Sequence, residues 1–260
     1  MDQVVQPQGK ARIIGVIPAR FHSSRFAGKP LKNIAGKPLL QWVIQGAQQA
    51  KLLSQILVAT DDSRIAALAE KCGVEAVMTD SSLPSGSDRV WAAVQNRPCD
   101  SVLNIQGDEP LITGQVLDTL AQALGKGIEM ATLARPIKNE EELVNPNTAK
   151  IVVNHRHEAL YFSRLPIPHS RNLKNISSYA CLKHIGLYGY SFDFLGRFCR
   201  NGPVPLEQAE GLEQLRALWL GVALKVVLTD YESWGVDTPE DVIRVEEIMK
   251  SKRPAQKENL

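Results

Sequence analysis

Over its first 150 residues the chain repeats one pattern, a short apolar run rich in β-branched side chains followed by a stretch with helically spaced apolar positions. The runs at 13–17, 55–59, 75–78, 101–105 and 130–134 alternate with helical patterns at 39–50, 63–71, 88–95 and 114–123. An apolar run without polar alternation suits a strand covered on both faces, as in a parallel sheet, and parallel strands need crossover connections. The pattern predicts an α/β fold, a doubly wound and mostly parallel sheet.

After Pro146 the texture changes. Runs at 149–153 and 159–163 flank a turn, and 184–190 forms a third strand with no helix between, which predicts an antiparallel insertion. Leu206, Ala209, Leu212, Leu215, Ala217, Leu218 and Trp219 make a helical stripe over 206–220. A strand at 224–228 then returns to the main sheet. A closing helix follows at 238–249, with Pro239 in its first turn and acids behind it. The resulting organisation is an α/β half at 11–150, an insertion at 151–222, a return strand and closing helix at 223–250, and polar tails at 1–10 and 251–260.

Composition narrows the function classes. The 260 residues are 44% hydrophobic and 22% charged with a net charge of +2, and the basic residues are interspersed with acids rather than gathered in runs. That argues against nucleic acid as a partner and makes any phosphate recognition local. No stretch approaches the roughly 18 apolar residues of a membrane span, and the first residues lack the apolar core of a signal peptide, so no membrane association and a cytoplasmic protein are expected. Cys72, Cys99, Cys181 and Cys199 show no CxxC spacing and read as reduced thiols.

The first strand run ends at Pro18 in a loop, Ala19 to Leu31, that carries Arg20, Arg25 and Lys29 among small residues. Ligands of open α/β sheets bind beyond the carboxyl ends of the strands, so these cations would face a site. Arg20 and Arg25 offer forked donors to phosphate oxygens, Lys29 a mobile point charge, and Gly28 allows close backbone approach. A basic surface loop is the competing reading, since neither GxxxxGK[ST] nor GxGxxG is present. Two acids stand at comparable junctions: Asp108 after the fourth run, and Asp237 before the closing helix. Mg²⁺ takes one or two carboxylates with phosphate oxygens and waters, and this pair could supply them. Alternatively Asp237 is a helix N-cap and Asp108 a turn residue; of Asp108 and Glu109, Glu109 reads as the structural one.

The strings IPARFHSSRFAGKPL, ILVATDD, SGSDR, NIQGDEPLI, ATLARPI, NPNTAKIVV, ALYFSRLPIP, KHIGLYGY, LEQLRALWLG and GVDTPED together resemble the 3-deoxy-D-manno-octulosonate (Kdo) cytidylyltransferase family over about residues 12 to 249. The resemblance implies a nucleotidyltransferase-like fold and a Mg²⁺-dependent transfer of CMP from CTP to a 2-keto sugar acid for lipopolysaccharide, in a homodimer built through the insertion. Carried over by position, it implies a triphosphate clamp at Arg20, Arg25 and Lys29. It implies a cytidine pocket at Ala19, Ser85 and Gly86 with Arg89 on the nucleotide side, metal ligands at Asp108 and Asp237, and Gln106 near the reacting sugar. It implies a sugar-acid site at Arg164, His184, Tyr188, Glu213 and Gln214.

Arg164 suits a substrate carboxylate, and the other four suit hydroxyls. Read without the resemblance, Tyr188 is equally a core aromatic and Glu213 a solvated residue of an amphipathic helix. Where the family often has His-Gln before SGT[DE]R, this chain has Leu83-Pro84, which removes a donor and stiffens the loop. An 8-amino octulosonate or a nonulosonic acid is the alternative acceptor.

Overall fold

The first apolar run becomes β1 (Ile13–Ala19), buried along nearly its whole length. A computed structural model describes the chain at residues 11–22, 26–169 and 181–252. Arg25 lies outside the described residues. A 3₁₀ turn over Lys29–Leu31 and a small hairpin of β2 (Asn33–Ile34) and β3 (Lys37–Pro38) lead into α1 (Leu39–Ala47). The predicted alternation follows as β4 (Leu53–Thr60), α2 (Ser63–Lys71), β5 (Glu75–Met78), α3 (Gly86–Val94), β6 (Ser101–Asn104), α4 (Gly114–Ala123) and β7 (Met130–Pro136).

The second half contains a short α5 (Glu140–Val144), then β8 (Lys150–Val153), β9 (Ala159–Ser163) and β10 (Leu182–Ser191). It continues through α6 (Phe192–Arg200), α7 (Pro205–Glu210), α8 (Leu215–Trp219), β11 (Lys225–Leu228) and α9 (Pro239–Lys252). The stripe expected as one helix over 206–220 is two. Gly211 adopts φ +61° and ends α7 in a left-handed cap, and Trp219, counted in the stripe, is exposed. Helix α6 and the β2–β3 hairpin were not expected.

The main sheet runs β11-β7-β10-β6-β1-β4-β5, with β8 attached to β10 and β9 to β8. Strand β10 enters between β6 and β7, antiparallel to both. The other pairings along that path are parallel. Two apolar clusters cover the two faces: one centred on Ile17, Leu40, Ile44, Leu103 and Leu117, the other on Val16, Val90, Val102, Tyr190 and Phe194. Consecutive residues of β1 and β6 thus feed opposite faces, the arrangement their uninterrupted apolar character requires.

Candidate active site

Strands β1, β4 and β6 are mutually parallel, so the loops after β1 and β6 emerge at one sheet edge. Pairing of β1 with β6 ends at Val16 and Asn104, and Pro18 falls beyond it, where no strand on that side needs its missing N–H. The β6 loop fills the space instead. A Cβ on Gly107 would lie 2.8 Å from the Pro18 carbonyl oxygen, so glycine is what lets the two loops touch.

A cleft of about 240 Å³ opens there. One wall is Ala19, Arg20, Lys29 and Pro30, another is Leu83, Pro84, Ser85, Gly86 and Arg89, and Gln106, Gly107, Asp108 and Asp237 complete the lining. Ser85 caps α3, its hydroxyl accepting from the Asp88 amide at 3.2 Å. Arg89 is buried and held by Asp61 at 3.0 Å and by the Thr79 hydroxyl. Gln106 donates to the Gly186 carbonyl at 2.9 Å, where the β7–β10 register shifts. The β10 irregularity thereby braces the β6 loop. The departure at Leu83-Pro84 lies on the cleft wall.

Lys29 joins the two acids. Its Nζ lies 2.8 Å from Asp108 Oδ2 and 3.0 Å from Asp237 Oδ1. Burial alone would lower the lysine's pKa, but the Asp108 and Asp237 carboxylates outweigh it and hold it above its ordinary value. Among the described residues no three His, Cys, Asp or Glu side chains gather as a self-sufficient metal cage. Two carboxylates converging on one cation suit Mg²⁺, which completes its shell with substrate phosphates and water.

The five residues assigned to the sugar acid fall in the insertion half and on β10. His184 Nε2 is 3.0 Å from the Thr132 hydroxyl, and that hydroxyl donates to the Leu187 carbonyl at 2.7 Å. Thr132 therefore accepts from Nε2–H, which leaves Nδ1 as an acceptor. Burial lowers the imidazole pKa to about 3, so the ring is neutral. Tyr188 stacks at a tilt 5.4 Å from His184, and burial raises its phenol pKa. Glu213 Oε2 accepts from Ser87 at 2.8 Å, while Glu213 Oε1 and Gln214 Nε2 are buried with no hydrogen-bond partner.

Glu213 Oε1 has only the Arg216 guanidinium 3.8 Å away, and a buried polar atom without a hydrogen bond costs about 1–3 kcal/mol, so both groups are suited to receive a ligand or water. Arg164 is arranged differently. Its Nε, Nη1 and Nη2 donate to the carbonyls of Glu210, Pro146 and Gly211 at 2.8, 3.0 and 3.1 Å, which uses three of five N–H groups and leaves two for a substrate.

Several supporting residues carried no signal in the sequence. Ser87 reaches Glu213 across 126 residues, and Thr132 orients His184 across 52. Glu109, read as structural, is buried and accepts from Tyr231 Oη at 3.2 Å, from the Trp234 amide at 3.0 Å and from the Ser233 hydroxyl. With the Val236 amide donating to the Asp108 carbonyl at 2.9 Å, this fastens the segment carrying Asp237 to the loop carrying Asp108.

The sequence profile of the cytidylyltransferase family matches residues 14–226. A 3-deoxy-manno-octulosonate cytidylyltransferase of Bdellovibrio bacteriovorus is 55% identical over 244 residues, spanning 92% of this chain and 98% of that protein. One of Cytophaga hutchinsonii is 44% identical over 239 residues, spanning 90% and 96%. A solved structure of CMP:2-keto-3-deoxy-manno-octonic acid synthetase complexed with CTP matches with a TM-score of 0.88 at 38% identity, over 94% of this chain and 100% of that one. Identity at this level over nine tenths or more of both proteins, with the family profile matching most of the chain, makes the chain a member of the cytidylyltransferase family and, within it, of the 3-deoxy-manno-octulosonate cytidylyltransferases.

Proposed function

We propose that this nucleotidyltransferase moves CMP from CTP to the anomeric hydroxyl of Kdo, with Mg²⁺, releasing pyrophosphate and supplying an activated sugar for lipopolysaccharide. The observation that carries this reading is the convergence of Lys29, Asp108 and Asp237 within 3.0 Å at the mouth of a cleft whose other wall is the Ser85-Gly86 turn. The sugar hydroxyl oxygen attacks the α-phosphorus in line and gives up its proton to water, the bond to the bridging oxygen of the β-phosphate breaks, and pyrophosphate leaves with that electron pair.

Arg20, which has no ion pair among the described residues, and Lys29 hold the leaving phosphates; Arg25 belongs to the same clamp by resemblance. Ala19, Ser85 and Gly86 take the cytidine, and Arg89 fixes that wall. Asp108 and Asp237 would hold the ion; when bound it neutralises phosphate charge and acidifies the attacking hydroxyl. Gln106 borders the reacting centre. Glu213 Oε1 and Gln214 Nε2, which lack hydrogen-bond partners, and Nδ1 of His184 offer two acceptors and a donor to sugar hydroxyls, beside Tyr188, and the remaining N–H groups of Arg164 serve the acid's carboxylate.

We place the protein in the cytoplasm, where CTP is made; among the described residues no helix is long and apolar enough to cross a membrane. We also read it as a homodimer, supported by Leu160 and Leu165, 59% and 69% exposed on and beside β9. Pyrophosphate release measured across four nucleoside triphosphates and a panel of 2-keto sugar acids tests the reaction. CTP with Kdo is expected to be the preferred pair. Preference for an 8-amino octulosonate or a nonulosonic acid would overturn the acceptor assignment, and turnover with UTP equal to that with CTP the nucleotide assignment.

A further inference from the structure

The cation that Asp108 and Asp237 share is a side chain of the protein itself. Lys29 Nζ sits within hydrogen-bond distance of both carboxylates, with the lysine side chain only 15% exposed. A divalent ion held by the same two carboxylates would compete for the place the ammonium fills. The two cations could not share it, because charges a few ångströms apart in a half-buried cleft repel with little screening. The two carboxylates are 29% and 45% exposed.

We propose that Lys29 is the resident counter-ion of this pair, so that the site takes its divalent ion with the nucleoside triphosphate and excludes the free ion. The inference rests on the metal role assigned to Asp108 and Asp237 above. The triphosphate supplies what frees Lys29, a strongly anionic partner in the same cleft. The lysine stem has four rotatable carbons, so its head can transfer from carboxylate to phosphate without backbone movement. Its backbone is fixed at the start of the 3₁₀ turn behind Gly28, whose φ of +70° suits glycine. The same side chain thus serves the acids before the nucleotide arrives and the phosphates afterwards, and the metal–nucleotide complex is the substrate form the site admits.

Mn²⁺ binding followed by electron paramagnetic resonance tests this, on the full chain with and without a non-hydrolysable CTP analogue. Without nucleotide, Lys29→Met is expected to bind Mn²⁺ at least about tenfold more tightly than the wild type, with Lys29→Gln as a second neutral variant. Lys29→Arg, which keeps the charge, is expected to exclude Mn²⁺ as the wild type does. With the analogue present, the wild type is expected to gain tight Mn²⁺ binding that Asp108→Asn and Asp237→Asn each weaken. Equal nucleotide-free affinity in the wild type and both neutral variants would overturn the counter-ion role while leaving the metal site standing. Analogue-dependent binding unaffected by both aspartate variants would remove the metal site, and the proposal with it.

Discussion

Asp237 stands at the cleft mouth, where sequence alone left it divided between a helix N-cap and a metal ligand. In the structure its carboxylate faces Lys29, and it is Asp241 that accepts from the Asp237 and Thr238 amides, both at 2.9 Å, at the start of α9. Replacing Asp237 by Asn is expected to lower the rate of pyrophosphate release by on the order of 100-fold with the fold intact, and near-normal turnover at saturating Mg²⁺ would sink the assignment. His184 makes a different prediction. Its folded imidazole is neutral down to about pH 3, whereas the unfolded one takes a proton near 6.5. Between those values the unfolded state binds the extra proton, so stability falls as pH drops through the window, by up to about 1.4 kcal/mol per unit. Thermal midpoints measured from pH 7 to 4.5 should therefore fall less steeply in His184→Gln than in the wild type. The residue types at both positions were legible in the sequence. The partners that give them their roles, Lys29 and Thr132, were not, because 208 and 52 residues separate each pair.

At the scale of elements, apolar periodicity located β4, β5, β6 and β7 and the helices between them, since each is long enough to show its period. It failed where a backbone turn overrode a continuous stripe. Gly211 divides 206–220 into α7 and α8, and buried Arg216 ties them by donating to Glu207 at 2.9 and 2.6 Å. The segment 231–237 has no regular structure, and Glu109 holds its first half, through Tyr231, Ser233 and Trp234. Glu109→Ala strips three donors of their acceptor, and a loss of about 3 kcal/mol is expected in urea unfolding. The same variant should cut turnover by more than its unfolded fraction explains, because Asp237 rides on that segment. A stability loss with unchanged turnover of the folded enzyme would limit Glu109 to a structural role.

At the scale of the molecule, β9 pairs along one side with β8, and Leu160 and Leu165 present apolar surface on and beside it. Such a strand is expected to be covered, and sedimentation at micromolar concentration should give a dimer that Leu160→Glu with Leu165→Glu converts to monomer. A monomeric wild type would count against the homodimer. Sequence by itself determined the α/β class and the alternating first half, because burial on both faces demands uninterrupted apolar runs. It also determined the residue types that line the cleft, because loops after parallel strands open on one edge. Only the tertiary structure decided that β10 splits β6 from β7, that Ser87 reaches Glu213, and that Lys29 stands between Asp108 and Asp237. Those are contacts between segments far apart in the chain, fixed by packing across the sheet, and local periodicity carries no record of them.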